Sequence, residues 1–389
     1  MAIPSTNAFD LTGDDLIDVS TTGFYWQLDQ ERTIRWALAD GFSGENWADS
    51  SGMQGTISAI FDTFADYIDV TFEYVGYFND PTDAYGAGSD ITVSIDDVGS
   101  FTHRESTLAI GYFPTTSRDE SIYVGAAGDI FINSQSEANT YPYTPGSAGW
   151  HLLIHEIGHT LGLKHTHDGG GTGRPTISNL EESGRLDITG STAWPIISNL
   201  EELDSLGIDW GSIMSYEDDF RYNTTTWSPV TPMVLDIVGL QYLYGANLNT
   251  NTGNSTLMIE DFNDYRTLWD AGGNADYVDA SLRGEGVIIT LPSPLDSSLA
   301  SISAGSVTQK NSPEDITNPK ALYWSMGEIE HARGSNFVDL IIGNSDGNIL
   351  EAQGGNDVLF GGDGNDLLIG ELGDDFLAGE GGHDRHCLV

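Results

Sequence analysis

The chain has 389 residues, of which 59 are Asp or Glu and 14 are Lys or Arg, so its formal net charge at pH 7 is −45. So acidic a surface repels nucleic acid and anionic membranes, and neither is an expected partner. The hydrophobic fraction of 39% and the aromatic fraction of 10% exclude a disordered acidic chain, and the length is sufficient for two domains.

The single cysteine, Cys387, excludes an intrachain disulfide. Residues 1–20 contain four aspartates and lack the apolar run of a signal peptide. No stretch reaches the ~18 apolar residues of a membrane span. On their own these features favour the cytoplasm, although a secreted bacterial protein stabilised by metal ions also fits the cysteine count.

Apolar spacing predicts one helix and several short strands in the first half of the chain. Residues 53–68 carry apolar side chains at helical spacing along one face. Short alternating runs are typical of core strands. They are Val70–Tyr74, Ile91–Ile95, Ile130–Ile132 and Thr107–Phe113, the last of which is closed by Pro114.

The stretch from His155 to His165 reads H-E-x-x-H-x-x-G-x-x-H. On a helix, His155 and His159 leave the same face about one turn apart, as two ligands of one zinc ion must. Glu156 lies beside the first ligand, in position to take a proton from the attacking water. Gly162 can end the helix in a left-handed conformation, so that the chain folds back with His165 as third ligand. Three nitrogen donors and an open position describe a catalytic zinc site, whereas a structural site is closed by four ligands.

The alternative for this stretch is a buried amphipathic helix with incidental polar residues. The added Gly162 and His165, in a chain with nine histidines, favour the zinc site. His151 and His167 flank the motif and are interpreted as incidental, because three nitrogens already fill the site. The helix itself is predicted over about residues 147–163.

A second motif, Ser-Ile-Met-Ser-Tyr, occupies residues 212–216. Together the two motifs resemble the metzincins, and more narrowly the serralysins, which are secreted bacterial zinc proteases. The resemblance implies that Met214 packs beneath the zinc ligands. It also implies that Tyr216 binds zinc in the resting enzyme and swings away to stabilise the oxyanion. Without the histidine motif, an ordinary core turn is the alternative for these five residues.

The same resemblance places the run Thr107–Phe113 at the edge strand that lines the cleft. An exposed edge offers unpaired backbone groups to an extended peptide. Leu108, Ala109 and Ile110 are therefore predicted to bind substrate backbone, with a plain sheet strand as the alternative. Serralysins also have a pro-segment, but residues 1–50 show no boundary for one.

Residues 166–211 depart from the serralysin pattern. Thr166 stands where proline usually follows the third histidine, and Ile-Ser-Asn-Leu-Glu-Glu occurs twice, at 177–182 and 197–202. We interpret this duplication as a surface insertion near the cleft.

Residues 231–244 are predicted to form a helix, because Thr231 can cap it, Pro232 suits its first turn and Gly245 follows its end. Tyr-Gly-Ala-Asn at 244–247 resembles the serralysin hinge between two domains.

The predicted fold class is α+β. A metzincin catalytic domain with a twisted mixed sheet and long helices is expected over residues 1–245. An all-β domain that contains the repeats described next is expected over residues 246–389.

The last part of the chain contains six nine-residue repeats. Their first positions are Gly334, Gly343, Ala352, Gly361, Gly370 and Gly379, their sixth positions Asp339, Asn348, Asp357, Asp366, Asp375 and Asp384, and their eighth positions Ile341, Leu350, Leu359, Leu368 and Leu377. This is the RTX pattern, the signature of a calcium-loaded parallel β-roll. Glycine turns and aspartates supply an all-oxygen cage, and the apolar eighth position stacks in short strands. Six units in register disfavour the alternative of a flexible Gly-Asp-rich linker.

The predicted calcium ligands of the repeats are Asp339, Gly354, Asp357, Gly361, Gly362, Gly364, Asp366, Gly370, Gly373, Asp375 and Asp384. Upstream, the resemblance to serralysins implies further ligands at Asp270, Gly272, Gly273, Asp276 and Glu330. Without calcium, repulsion between so many close carboxylates is expected to leave the segment unfolded.

RTX repeats also bear on export, because in the family they accompany type I secretion with an uncleaved C-terminal signal. The resemblance therefore implies an extracellular protein and reverses the cytoplasmic expectation. The chain stops a few residues after Asp384, so either that signal is very short or the chain is truncated.

The predicted function is a secreted zinc-dependent endopeptidase with one catalytic Zn²⁺, several structural Ca²⁺ and catalytic Glu156 and Tyr216. The expected partners are protein or peptide substrates, the type I secretion machinery and a proteinaceous inhibitor. A monomer that neither binds nucleic acid nor inserts into membranes is expected. One alternative is a calcium-dependent RTX adhesin or surface module with an inactive metzincin domain, and another is a zinc hydrolase with a non-peptide substrate.

Overall fold

The structure is a computed structural model that describes residues 2–99, 107–116, 123, 125–167, 174–175, 211–214, 229–259, 265–295, 303–309 and 321–388. These residues fall into two compact units. The described residues of Met1–Glu182 and Gly211–Asn247 form the first unit, and those of Leu248–Val389 form the second.

The first unit contains a five-stranded mixed sheet. Its strands and those of a small hairpin are β1 (Ile3–Pro4), β2 (Trp26–Gln27), β3 (Thr33–Ala39), β4 (Thr71–Phe78), β5 (Ile91–Asp96), β6 (Ala109–Gly111) and β7 (Ile130–Asn133). The sheet order is β4-β3-β5-β7-β6, in which only β6 runs antiparallel to its neighbour. The short antiparallel strand β6 therefore lies at one edge of the described sheet.

Helices pack around this sheet. They are α1 (Asp15–Ser20), α2 (Ser50–Ala65), α3 (Pro81–Gly86), a 3₁₀ helix (Glu137–Thr140), α4 (Ala148–Thr160) and α5 (Val234–Tyr244). The predicted apolar face of α2 is buried, and the ring of Phe61 lies 5.3 Å from that of Trp36 on β3. Nearly all of α4 and α5 is buried as well, which places these two helices in the core of the unit. None of the helices that the structure describes is long and apolar enough to cross a membrane.

The second unit is built from β-strands in the residues described. They are β8 (Thr256–Met258), β9 (Tyr265–Asp270), β10 (Tyr277–Asp279), β11 (Ile288–Pro294), β12 (Ser303–Gln309), β13 (Ala321–Gly327), β14 (His331–Arg333), β15 (Leu340–Ile342), β16 (Ile349–Glu351), β17 (Val358–Phe360), β18 (Asp363–Gly364), β19 (Leu367–Glu371), β20 (Phe376–Ala378), β21 (Gly381–Gly382) and β22 (Arg385–Leu388). The two larger sheets have the orders β22-β19-β16-β14-β10-β8 and β20-β17-β15-β11-β12-β13-β9.

Strand register in the second unit follows the nine-residue repeat taken twice. Ile341 of β15 pairs with Leu359 of β17, and Leu350 of β16 pairs with Leu368 of β19, in parallel. Side chains of both sheets form one buried cluster. This register confirms that the apolar eighth positions lie in short strands and stack on one another. The structure adds that successive repeats deliver these residues to two different sheets, which share one core.

Two details differ from the predictions. Helix α5 begins at Val234 with Met233 as its N-cap, so the predicted capping by Thr231 and a first-turn Pro232 are wrong. The second unit is also not parallel throughout, because β12 runs antiparallel to both β11 and β13. Apolar alternation detects a strand but carries no information about the direction of its partner.

The stacked leucines make a prediction about stability. Leu359 is fully buried in the cluster, whereas Leu372 is 72% exposed. Leu359→Ala should lower the free energy of unfolding of the second unit by about 2–5 kcal/mol, because it leaves a cavity. Leu372→Ala should change it by no more than about 0.5 kcal/mol. Urea unfolding in excess calcium measures both, and equal effects would contradict the assigned core.

Candidate metal sites

Helix α4 carries two of the three predicted zinc ligands. Its first turn is capped by Ser147, whose hydroxyl accepts the backbone N–H of Trp150 at 3.3 Å. The helix buries His155, Glu156 and His159 among apolar neighbours. The four-residue spacing then puts both imidazoles on one face, as the helical geometry requires.

The chain reverses direction directly after α4. Gly162 has a φ of 102°, and a Cβ there would collide with the carbonyl oxygen of Phe24. The carbonyl of Gly162 accepts the backbone N–H of Thr22 at 2.9 Å, and Lys164 donates its own N–H to Ser20 at 3.0 Å. The N-terminal segment around residues 20–24 therefore holds the turn that returns His165 to the helix.

The three imidazoles converge on a common point. Ring centroids are separated by 4.9 Å for His155 and His159, 5.3 Å for His155 and His165, and 4.7 Å for His159 and His165. One nitrogen from each ring lies within 4.8 Å of the others, and the Nε2 atoms of His159 and His165 are 3.1 Å apart. Ligands of a tetrahedral zinc ion with Zn–N bonds of about 2.1 Å lie about 3.4 Å apart, so a single ion fits between these nitrogens once the rings shift toward it.

Backbone carbonyls orient two of these rings. Nδ1 of His155 lies 2.8 Å from the carbonyl oxygen of Ile213, and Nδ1 of His159 lies 3.0 Å from that of Leu163. A carbonyl can only accept, so Nδ1 carries the proton and Nε2 presents its lone pair to the centre. Burial lowers the pKa of His155 well below its usual value, and the neighbouring His159 and His165 rings lower it further. The neutral form that a metal needs is therefore favoured.

Glu156 extends from α4 toward the edge strand β6. Its Oε2 accepts the backbone N–H of Gly111 at 2.5 Å. Burial raises the pKa of Glu156 to about 7, and the Gly111 hydrogen bond opposes that rise. A Cβ at position 111 would collide with the carbonyl oxygen of Glu156. Glycine at 111 thus permits the strand and the helix to approach closely, a role that the sequence analysis missed.

Met214 lies directly against α4. It is fully buried, and a Cβ added to Gly158 would stand 2.7 Å from its Sδ. Gly158 is one of the two variable positions between His155 and His159, and its missing side chain makes room for the methionine against α4.

Asp236 of α5 holds the segment that contains Met214. Its carboxylate accepts the hydroxyl of Ser212 at 2.6 Å and the backbone N–H groups of Ile213 at 2.8 Å and Met233 at 2.9 Å. Ile213 in turn presents its carbonyl to His155. Asp236 was not predicted from the sequence, in which its signal is a single charge within the apolar run of α5.

Some of the other residues predicted for this site lie outside the described structure, and the rest lie on or next to strand β6. Tyr216 and both copies of the duplicated segment, at 177–182 and 197–202, lie outside the described residues. The carbonyl of Leu108 accepts the N–H of Asn133 and so belongs to the β6–β7 pairing. By strand alternation the backbone of Ala109, like that of Gly111, faces away from β7, whereas that of Ile110 faces β7.

The two flanking histidines lie close to the three converging rings. The ring of His167 stacks on that of His165 at 5.1 Å, and burial lowers the pKa of His151 to about 4. Neither belongs to the cluster of possible ligands, which in the described residues contains His155, His159 and His165.

Buried carboxylates of the repeats form a regular ladder in the second unit. In four of the five sixth-position aspartates, one oxygen accepts the backbone N–H of the residue 18 positions earlier. These bonds are Asp339 to Asp357 at 2.8 Å, Asn348 to Asp366 at 2.8 Å, Asp357 to Asp375 at 3.0 Å and Asp366 to Asp384 at 3.1 Å, each with the donor first. The other oxygen, Oδ2, is buried and unsatisfied among the described residues in Asp357, Asp366 and Asp375.

Such unsatisfied oxygens fit a divalent cation. A buried carboxylate oxygen without a partner is costly unless a cation binds it, and calcium takes carboxylate and carbonyl oxygens as ligands. Glycines allow close packing within the turns. A Cβ at Gly361 would collide with the carboxylate of Asp366, and a Cβ at Gly370 would collide with that of Asp375. A Cβ at Gly362, Gly364 or Gly373 would instead collide with a backbone carbonyl oxygen of the preceding turn, whereas Gly354 is less crowded. Asp339 differs, because both of its oxygens accept hydrogen bonds, from Ser335 and Val287.

The predicted upstream residues lie together as well. Asp270 and Asp276 are fully buried, each with an unsatisfied Oδ2 among the described residues. Glu330 accepts the N–H of Asp276 at 3.0 Å, and Gly273 packs directly on the Asp276 carboxylate. The carboxylate of Glu328 stands near Gly272 and was missed by the sequence analysis.

Comparison with known proteins agrees with this geometry. Residues 333–368 and 352–385 match the RTX calcium-binding nonapeptide repeat (4 copies). The chain is 29% identical over 277 residues to Metalloprotease AprA of Pseudomonas entomophila, covering 65% of this chain and 48% of the relative. It is 32% identical over 162 residues to Serralysin of Proteus mirabilis (37% and 28%), and 30% identical over 188 residues to Serralysin C of Dickeya chrysanthemi (43% and 32%).

This chain is related to the serralysin-type metalloproteases and carries RTX calcium-binding repeats. It spans less than half the length of the relatives named here. The names of these proteins describe metalloproteases, which supports a relationship at the level of the family. The activity of this chain itself is therefore a proposal.

Asp236 yields a prediction for this site. Asp236→Ala removes the carboxylate that accepts hydrogen bonds from three buried donors. The substitution should therefore lower the free energy of unfolding of the first unit by about 3 kcal/mol or more. It should also weaken metal binding, since the Ile213 carbonyl loses its support. Asp62→Ala, an exposed change on α2, is the matched control. Thermal unfolding and metal titration measure both variants, and identical behaviour would refute the role of Asp236.

Proposed function

We propose that this serralysin relative is a secreted zinc-dependent endopeptidase. Residues 1–245 are assigned as a metzincin catalytic domain and residues 246–389 as a calcium-binding β-roll domain. The observation that carries the proposal is the convergence of three imidazole nitrogens beside Glu156, next to a sheet edge.

His155, His159 and His165 are the proposed ligands of one zinc ion. The donor set fits zinc, because two of the rings are held with Nδ1 on a carbonyl and so offer a neutral Nε2. When bound, zinc supplies a Lewis acid that polarises the scissile carbonyl and makes water a better nucleophile near neutral pH.

Glu156 is the proposed general base. It is adjacent to His155 on α4, and its carboxylate is directed toward β6 by the Gly111 N–H. In this position it takes a proton from the attacking water and then delivers that proton to the leaving amine. Glu156 is 3% exposed, so its carboxylate is largely shielded from bulk water.

Strand β6 is the proposed binding site for the substrate backbone. The backbone of Ala109 faces away from β7, toward the side where Glu156 contacts Gly111. An extended peptide that pairs with this edge would place a peptide bond near the three histidines. Of the predicted substrate-binding residues Leu108, Ala109 and Ile110, this geometry favours Ala109.

Two further roles follow from the resemblance to serralysins. Met214 is proposed to support the ligands from below, which its contact with Gly158 supports. Tyr216 is proposed to bind zinc in the resting state and to stabilise the oxyanion during turnover.

The second unit is proposed to bind several calcium ions through the predicted aspartates and glycines. Extracellular calcium would then fold the roll after type I secretion, since metal binding and folding are coupled. Protein substrates and a proteinaceous inhibitor are the proposed partners, and the acidic surface favours a monomer.

The catalytic proposal is tested by Glu156→Gln. The variant should lose peptide hydrolysis by about 10²- to 10⁴-fold, because the amide cannot accept the proton. Its zinc content by elemental analysis should stay unchanged, since the three histidines are intact. Glu137→Gln, an exposed change, serves as control, and casein hydrolysis with and without a zinc chelator is the assay. Undiminished activity in the Glu156 variant would refute the assignment; no hydrolysis by the unaltered chain would favour the adhesin alternative.

Calcium removal tests the second unit. Chelation should abolish most of its strand signal in circular dichroism, because close carboxylates repel without a cation. Restoring calcium should recover the signal, whereas magnesium at the same concentration should not, since it demands a smaller octahedral site. A spectrum that is insensitive to chelation would contradict a calcium-dependent roll.

A further inference from the structure

One turn of the roll differs from the others at its sixth position. Asn348 stands where the neighbouring repeats place an aspartate. Its side chain is as deeply buried as those of Asp357 and Asp366, at about 1% exposure. In those aspartates one oxygen accepts an N–H from 18 residues earlier and the other is unsatisfied in the described structure.

The amide of Asn348 has a hydrogen-bond partner for each of its atoms. Nδ2 donates to the carbonyl oxygen of Glu330 at 2.8 Å and to Oδ1 of Asn344 at 3.0 Å, and Oδ1 accepts the backbone N–H of Asn344 at 2.8 Å. The reverse orientation would set a carbonyl oxygen against two acceptors, so the network fixes which end carries the NH₂ group.

This bond reverses the ladder at one rung. In the four repeats that follow, the sixth-position side chain accepts from the residue 18 positions earlier. Asn348 instead donates to the carbonyl of Glu330, which is also 18 positions earlier. An acidic residue at this rung would leave a carboxylate oxygen facing a carbonyl oxygen, an arrangement that requires a proton or a bridging cation. The NH₂ group bridges the same two positions without a cation.

We infer that the amide of Asn348 replaces a calcium ion between the turns of Glu330 and Asn348, so that this rung of the roll folds without calcium. NH₂ hydrogens repel a cation and the neutral side chain adds no charge to a cage. The inference concerns the number and position of the calcium ions and does not depend on peptidase activity.

The test counts calcium ions per chain by equilibrium dialysis and elemental analysis at saturating calcium. Asn348→Asp should bind one ion more than the unaltered chain, because it restores the acidic rung. Asp366→Asn should bind one ion fewer, because it removes a carboxylate whose Oδ2 is unsatisfied. Asn365→Asp adds the same charge at an exposed fifth position of the next repeat on this side and should leave the count unchanged.

Asn348→Ala separates the two possible roles of the amide. If Nδ2 bridges the turns, alanine lowers the temperature of unfolding and leaves the calcium count unchanged. If instead Oδ1 of Asn348 binds calcium, alanine removes one ion, and the inference is wrong. An unchanged count in Asn348→Asp, with folding verified by circular dichroism in excess calcium, would overturn it equally.

Discussion

Two backbone carbonyls, those of Ile213 and Leu163, fix the orientation of two histidine rings in the candidate zinc site. Each accepts from Nδ1 of one histidine and so turns the Nε2 lone pair of that ring toward the other rings. Helical spacing alone puts His155 and His159 on one face but leaves the tautomer and the ring rotation open. The two carbonyls determine the tautomer and the rotation of these rings. The Ile213 carbonyl belongs to a segment distant from α4 in sequence, and the Leu163 carbonyl lies just beyond the end of α4. The geometry of the site therefore depends on tertiary structure around a locally encoded motif.

The third imidazole depends on the N-terminal segment. Thr22 and Phe24 surround Gly162, and the buried ion pair between Asp18 and Arg174 at 2.8 Å holds the chain beyond His165. Both partners of this pair are about 2% exposed, and Asp18 also accepts N–H groups from Thr12 and Gly13. A buried pair with its hydrogen bonds satisfied specifies one arrangement at the expense of desolvation. Residues far from the motif in sequence thus set where the third ligand lies.

Those dependences explain what could be predicted from the sequence. The histidine spacing and the nine-residue period are local, so they predict α4 and the stacking of Leu350 on Leu368 correctly. Gly111 and Asp236 act on residues 45 and 23 positions away, and no local period encodes such contacts. The antiparallel β12 was missed for the same reason, since strand direction is decided by the partner. The start of α5 was misplaced because Met233 caps it without a side-chain signal typical of caps.

The two units solve the problem of buried charge in different ways. In the first unit, hydrogen bonds from Ser212 and two backbone groups satisfy Asp236, and Arg174 satisfies Asp18. In the second unit, burial raises the pKa of Asp357 to about 7 and leaves one of its oxygens unsatisfied in the described structure. A carboxylate in that state requires either a proton or a cation. With 59 acidic residues and 14 basic ones, the chain lacks enough internal cations for its carboxylates, and we propose that calcium, or an amide such as that of Asn348, takes their place in the roll.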